Sequence, residues 1–104
     1  MKDARYFLMV KFTVETPHEP EVLRWLDGGH AAEVAAQPGF LWCKRLKLDQ
    51  GGFVMLYGIE SRAAFDAYES NKALKAKFAK ERAPFEKYMR IERLCGEVER
   101  AYEA

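Results

Sequence analysis

One residue of this sequence stands out for its chemistry, His30, which lies in the segment WLDGGHAAEV. On a continuous helix, at about 100° per residue, Leu26, His30 and Val34 share one face. That face is otherwise apolar, so we expect the imidazole to point at the protein interior. A buried imidazole can act as a general acid or base, because its ordinary pKa of about 6.5 lies near neutral pH. The alternative is a structural histidine that fastens the helix to its neighbours through a backbone carbonyl.

Two adjacent glycines, Gly28 and Gly29, directly precede this histidine. Each costs roughly 1 kcal/mol relative to alanine inside a helix. The pair therefore predicts a kink, a break between two short helices, or room for a ligand or a neighbouring backbone. On a continuous helix, Trp25 would lie about 140° around the axis from His30. A break at the glycines would change that relation and the direction of the imidazole.

Aromatic side chains can give such a site an apolar wall. Trp25, Trp42 and Tyr57 are the candidates for substrate binding, and Phe65 and Tyr68 are further candidates. Aromatic residues at these positions also serve as plain core or interface residues. His30 is thus the catalytic candidate, and the three named aromatics would shape its pocket.

Cofactor and metal motifs are missing from the sequence. Cys43 and Cys95 form no CxxC pair, and His18 lies in a turn without ligand spacing around it. There is no P-loop, dinucleotide fingerprint or Gly-x-Ser-x-Gly motif. We therefore expect neither a metal nor an organic cofactor. Cys43 as a nucleophile remains open, but a buried structural thiol is the simpler interpretation.

The composition is that of an ordinary globular protein of 104 residues, with 49% hydrophobic residues and a net charge of +1. We expect a single domain over residues 1–104. The charge predicts no general attraction to nucleic acid, and no apolar run is long enough to span a membrane. The N-terminus does not resemble a signal peptide, so we expect a cytoplasmic protein.

Charged residues are nevertheless distributed unevenly along the chain. Between residues 72 and 93 basic residues outnumber acidic ones, whereas the segment between residues 15 and 33 is acidic. This asymmetry could steer an anionic ligand or complement a partner subunit. We interpret it as a solvated helix face.

The pattern of apolar residues predicts four strands and two helical segments. The strands are RYFLMVKFTVE, FLWCKRLKL, FVMLYGI and YMRIERLCGEVE. A helix is predicted from about Pro20 to Ala36, and further helices follow Ser61 and Asn71, with Pro84 ending or kinking the last one. The order β-α-β-β-α-β is typical of an α+β, ferredoxin-like fold with a four-stranded antiparallel sheet.

Helices of such a fold cover only one face of the sheet. The first and third strands carry apolar side chains on both faces, so a lone subunit would leave an apolar surface in water. The simplest cover is the sheet of a second copy, which predicts a homodimer. In the expected strand order Cys43 and Cys95 lie about 14 Å apart, too far for a disulfide within one subunit.

Three segments resemble the dimeric α/β-barrel superfamily, which includes antibiotic-biosynthesis monooxygenases, stress-responsive barrel proteins and small isomerases and cyclases. WLDGGHAAEVAAQPGF is similar to the first helix of a short, largely uncharacterised branch, with a Trp, a His five residues later and a Pro-Gly-Phe exit. YGIESRAAFDAYES resembles its passage from strand to helix, and FEKYMRIERL its entry into the last strand. That branch more often has ordinary helix formers at the positions of Gly28 and Gly29.

The resemblance implies two ferredoxin-like subunits forming one barrel, with a cavity between sheet and helices in each. It also implies chemistry without metal or organic cofactor. We therefore expect an isomerase, cyclase or monooxygenase acting on a hydrophobic or aromatic metabolite, with His30 as its acid/base residue. The alternative is a non-catalytic ligand-binding or interaction module. Fold alone does not decide between them.

Overall fold

The computed structural model describes residues 2–104. Its strands are β1 (Tyr6–Val14), β2 (Phe40–Lys47), β3 (Phe53–Ile59) and β4 (Met89–Glu97). They form one antiparallel sheet in the order β2-β3-β1-β4. The predicted α+β, ferredoxin-like sheet is confirmed, including its two central strands.

Two helical crossovers connect the strands. The first contains a 3-10 turn (Thr16–His18), α1 (Glu19–Trp25), a π-turn (Leu26–His30) and α2 (Ala31–Ala35); the second contains α3 (Arg62–Glu69) and α4 (Lys72–Glu86). The side chains of Ser61 and Asn71 cap α3 and α4 by accepting hydrogen bonds of 3.1 Å from backbone amides. Pro84 does not end α4, which continues two residues further.

The helices pack on one face of the sheet, and the core lies between them. Alternate residues of β1 and β3 point to this face and are buried, because strand side chains alternate between faces. They meet the buried residues of the helices, among which Val22 is fully inaccessible. The core includes Tyr6, Leu8, Phe12, Val22, Leu26, Val34, Phe53, Met55, Tyr57, Ile59, Phe65 and Phe78.

The opposite face, called the open face below, carries no helix. It presents Phe7 and Met9 of β1, Val54 and Leu56 of β3, and Trp42 of β2, all half-buried. At its two edges Leu46 and Leu94 are 44% and 45% exposed. This surface is more apolar than a solvated sheet face requires.

A bulge in β2 places Trp42 on the open face. Phe40 pairs with Ile59 and points to the helices, but the register shifts before Trp42, which pairs with Gly58. The indole lies directly on this glycine, where an added Cβ would come within 2.4 Å of two ring carbons. Its Nε1 donates a 2.9 Å hydrogen bond to the Lys2 carbonyl. Without the bulge, simple alternation would have put Trp42 beside Phe40.

The cysteines lie on opposite edges of the sheet, as predicted. Cys43 is opposite Tyr57, Tyr57 is opposite Leu8, and Leu8 is opposite Cys95. Three strand spacings therefore separate the two thiols, and both are free. Cys43 is half-buried, whereas Cys95 is exposed.

Within residues 2–104 no helix combines the length and the apolar character that crossing a membrane would require.

Candidate functional site

The glycine pair forms a π-turn that brings Trp25 and His30 together. The amide of Ala31 donates to the carbonyl of Leu26, five residues earlier, and Gly29 has φ +148° and ψ −29°. This φ lies in a region that favours glycine. The wider turn places the two aromatic rings face to face, with centroids 4.3 Å apart and planes inclined by 19°. The break at the glycines therefore replaces the 140° separation that a continuous helix would give, as expected for an interrupted helix.

Two ion pairs connect this region with the rest of the subunit, one from the turn itself and one from α2. Both carboxylate oxygens of Asp27 accept hydrogen bonds from the Arg45 guanidinium on β2, at 2.7 and 3.3 Å. On the other side, Lys77 of α4 donates to Glu33 of α2. Both pairs are substantially exposed, so each contributes little to stability.

The imidazole of His30 is enclosed by aromatic rings. Phe78 meets it edge-on at 4.8 Å, and Phe85 packs on the other ring of the stack, Trp25, at 5.4 Å. The Nδ1 atom of His30 is buried and finds no hydrogen-bond partner among residues 2–104. Burial lowers the pKa of His30 below its ordinary value of 6.5, although Glu81 and Glu33 act in the opposite direction. The ring is therefore neutral at pH 7 and able to accept a proton.

His30 lies on the wall of a cavity of about 490 Å³ between the sheet and the helices. Most of the lining is apolar or aromatic. The strands contribute Leu8, Val10, Phe12, Met55, Tyr57, Met89, Ile91 and Arg93. The helical segments contribute Trp25, Leu26, His30, Val34, Tyr68, Lys75, Phe78, Arg82 and Glu86. A pocket of this size and character suits a small apolar ligand with a few polar groups.

Two tyrosines line this cavity. Burial, with the neighbouring Cys43 thiol, raises the pKa of Tyr57 far above its ordinary value of 10.0. Burial also raises the pKa of Tyr68. Both phenols therefore remain protonated at physiological pH. They can donate or accept hydrogen bonds, but they cannot serve as phenolate bases.

The structure brings together three of the four residues predicted for the site. His30, Trp25 and Tyr57 all line the cavity. Trp42 does not, because the bulge in β2 turns it to the open face, where it packs on Gly58 and Phe7. Phe65 packs on Tyr6 in the core, and Tyr68 lines the cavity.

Sequence reasoning missed the contribution of α4 and β4. The basic stretch was interpreted as a solvated face, yet Lys75, Arg82 and Arg93 line the cavity. The signal was present in α4, where Lys75, Phe78 and Arg82 recur at helical spacing and so share one face. A charged residue beside the apolar stripe of a helix ordinarily points to solvent. Only the way in which α4 packs on the sheet shows that Lys75 and Arg82 line the cavity instead.

Across residues 2–104 the structure contains no group of three or more His, Cys, Asp and Glu side chains placed to hold a metal ion.

Comparison with known proteins identifies the family. The profile of antibiotic biosynthesis monooxygenases matches residues 5–80, which is most of the chain. The chain belongs to the antibiotic biosynthesis monooxygenase family. The predicted relation to this group within the dimeric α/β barrels is thereby confirmed. No protein of curated function matches the sequence significantly.

Solved structures of similar fold cover almost the whole chain. The heme degrader MhuD of Mycobacterium tuberculosis, with two hemes in its active site, aligns with a TM-score of 0.71 and 22% identity over 94% of this chain and 99% of that one. A Streptomyces coelicolor monooxygenase from the gene ActVA-Orf6, in complex with nanaomycin D, gives a TM-score of 0.69 and 16% identity over 97% and 93%.

SnoaB, a cofactor-independent oxygenase from Streptomyces nogalater, gives a TM-score of 0.64 and 17% identity over 94% of this chain and 96% of that one. At such identities these three structures establish the shared fold of this monooxygenase family member, and its own chemistry has to be argued from its own residues.

Proposed function

We propose that this member of the family is a cofactor-independent monooxygenase acting on an aromatic or similarly hydrophobic metabolite. His30 is its acid/base residue, and Trp25 and Tyr57 shape the substrate pocket. The observation that carries the proposal is the position of the neutral imidazole of His30 on the wall of an apolar cavity of about 490 Å³. The Nδ1 atoms of His30 and His18 are both buried without a partner among the described residues, but only His30 lines the cavity.

The chemistry proposed for His30 begins with proton removal. A neutral imidazole accepts the proton of a phenolic or enolic hydroxyl, and the resulting anion is electron-rich enough to reduce O₂. For a phenol, one oxygen atom enters the ring carbon para to the hydroxyl. The other oxygen leaves as water, and the para carbon loses its hydrogen as a proton while its C=O bond forms, so the product is a para-quinone and O₂ alone is the oxidant. The proton held by His30 and the proton from the para carbon complete the departing water.

The other residues of the cavity support this reaction. Tyr57, which burial keeps protonated, can donate a hydrogen bond to a substrate oxygen. The apolar side chains of Leu8, Met55 and Phe78 exclude water from the reacting anion, which strengthens every polar contact around it. The flat indole of Trp25 offers a surface next to the imidazole.

The comparisons support the reaction type and the kind of ligand. SnoaB is described as a cofactor-independent oxygenase, and the ActVA-Orf6 product binds nanaomycin D. MhuD binds heme, another large flat molecule. These relations favour an aromatic substrate here, and no cofactor is part of the proposal.

Alpha-naphthol is a suitable probe of the proposed function. We expect it to bind in the cavity and quench the fluorescence of Trp25, measured in a Trp42→Phe background that leaves one indole. With air and a metal chelator present, we expect oxygen uptake and formation of para-naphthoquinone above the uncatalysed rate. Binding without oxygen uptake across a panel of naphthols and anthrols would instead favour the non-catalytic ligand-binding module.

We further propose that two subunits pair through the open face to form a homodimeric barrel. A continuous apolar strip runs along the central strands and consists of Phe7, Met9, Val54 and Leu56. Exposure of such a strip to water is unfavourable. A second copy offers the same strip, as a two-fold interface requires. A cytoplasmic location belongs to the same proposal, because two free thiols suit a reducing compartment.

Replacing Leu56 with lysine tests this pairing. The charge would lie at the centre of the apolar strip, so sedimentation equilibrium should show a dimer for the wild type and a monomer for Leu56→Lys at micromolar concentration. Ala73→Lys, on an exposed position of α4, is the matched control and should remain dimeric. A wild-type protein that sediments as a stable monomer would remove the basis for the barrel.

A further inference from the structure

Cationic side chains collect on the side of the cavity formed by α4 and β4. Lys75 and Arg82 come from α4 and Arg93 from β4, and Glu86 is the carboxylate that lines the cavity with them among the described residues. The Arg82 Nε donates to Glu86 at 3.0 Å, one helical turn away. This pair is neutral as a whole, which leaves Lys75 and Arg93 to be accounted for.

Glu69 of α3 bridges these two cations. Its Oε1 accepts from the Arg93 Nη2 at 2.5 Å, and its Oε2 lies 3.1 Å from the Lys75 Nζ. Burial raises the pKa of Glu69, but the hydrogen bonds from Arg93 and Lys75 outweigh it and hold that pKa below the ordinary value. Glu69 is therefore ionised at neutral pH. The carboxylate of Glu69 carries one negative charge, whereas Lys75 and Arg93 carry two positive charges together. The group of three therefore has a net charge of +1.

Lys75 and Arg93 line the cavity, and Glu69 does not. The carboxylate that holds their charged ends therefore lies beside the cavity and not on its wall. Arg has five N–H donors and Lys has three, and the bridge uses one of each. The bridge also demonstrates that their spacing fits the two oxygens of one carboxylate. Tyr68, with Lys75 4.8 Å over its ring, places an aromatic surface beside them.

We infer that Lys75 and Arg93 form an anion subsite that receives the carboxylate of an aromatic acid, whose ring system fills the apolar part of the cavity towards His30. The inference rests on the proposed function, because it names the substrate class of the same cavity. The apolar wall takes the rings, and the cations fix which end of the molecule faces out. Both cations are partly exposed, so the charge contributes selectivity more than affinity.

The test compares naphthalene carboxylate with naphthalene carboxamide, which has nearly the same shape and no charge. Binding is followed by Trp25 fluorescence in the Trp42→Phe background at low salt. We expect the carboxylate to bind about threefold more tightly than the carboxamide, a difference of about 0.7 kcal/mol, as for an exposed ion pair. Added salt should narrow that ratio. Lys75→Gln and Arg93→Gln should each lower carboxylate binding and leave carboxamide binding unchanged.

Two further variants sharpen the result. Glu69→Gln removes the competing carboxylate and should increase the preference for the charged ligand. Lys80→Gln removes an exposed cation of α4 that does not line the cavity, and it should have no effect.

Equal affinities of the wild type for the two ligands would overturn the subsite and leave the proposed function standing. Failure of both ligands and of alpha-naphthol to bind would contradict the proposed function as well. If Arg93→Gln and Lys75→Gln weakened carboxamide binding as much as carboxylate binding, the two cations would be structural, and the inference would be wrong.

Discussion

Replacing His30 with glutamine is expected to lower kcat for the oxidation of alpha-naphthol by about 10²- to 10⁴-fold, the usual contribution of a positioned acid/base group. Glutamine keeps a polar side chain of similar length but cannot accept the substrate proton. The cavity wall stays filled, so the affinity for alpha-naphthol should change much less than kcat. Steady-state oxygen uptake separates the two effects.

His18→Gln is the matched control for this change. His18 is the other histidine of the chain, and it stacks on Tyr88 at 3.4 Å and does not line the cavity. Its substitution should leave kcat unchanged. If His30→Gln kept the wild-type rate, His30 would be a structural residue and the proposed base would have to be found elsewhere.

The pH dependence gives the same mechanism an independent check. Burial lowers the pKa of His30, and the base works only in its neutral form. Acidification through the lowered pKa converts the imidazole to imidazolium, which has no lone pair for the proton. We therefore expect kcat/KM, which follows the ionisation of the free enzyme, to rise with pH with a midpoint below 6.5 and to level off above that midpoint. A midpoint above 6.5 would mean that another group limits the reaction.

Gly29→Ala is expected to destabilise the subunit and to misdirect His30. The φ of +148° is unfavourable for a side chain, and forcing it costs about 1–3 kcal/mol. An added Cβ would meet no atom within 4 Å, so the whole effect comes from the backbone. Relaxing the turn to an ordinary helix would rotate Trp25 away from the imidazole. Urea unfolding measures the loss of stability.

Fluorescence of Trp25 measures the loss of the stack. A protonated imidazole quenches an indole packed against it, so in the Trp42→Phe background the wild-type emission should titrate with the lowered pKa of His30. Gly29→Ala should shift that midpoint towards 6.5, because the imidazole becomes less buried.

Gly28→Ala tests whether the losses of stability and of the Trp25–His30 stack are specific to Gly29 or follow any glycine substitution in the turn. Gly28 has no positive φ, and an added Cβ there has open space, so the variant should keep the titration and be equally stable or up to about 1 kcal/mol more stable. If Gly29→Ala had the same free energy of unfolding and the same midpoint of the Trp25 fluorescence titration as the wild type, the π-turn would not depend on glycine.

Much of the fold was predictable because the sequence signals for strands and for helix starts lie within short stretches of the chain. The alternation of apolar residues in β1 and β3 specifies strands, and Ser61 and Asn71 mark helix starts through their own hydrogen bonds. These signals depend on residues a few positions apart. The strand order follows from the order of elements and the short connections between them.

The site was predictable only in part, because two of its features depend on single backbone irregularities. One extra residue in β2 sends Trp42 to the open face, and alternation alone cannot reveal a bulge. The glycine pair signalled a break, but the sequence does not specify that the break is a π-turn. The stack of Trp25 on His30 followed from that geometry.

The amino-acid pattern was sufficient for the elements, their order, the inward direction of His30 and the apolar character of both sheet faces. The contact of His30 with Trp25 on a cavity wall, and the presence of Lys75 and Arg93 in the same lining, became visible only in the folded subunit. Patterns of hydrophobicity specify which side of an element is buried. The space left between buried sides depends on how the helices pack on the sheet, and this packing is a property of distant residues together.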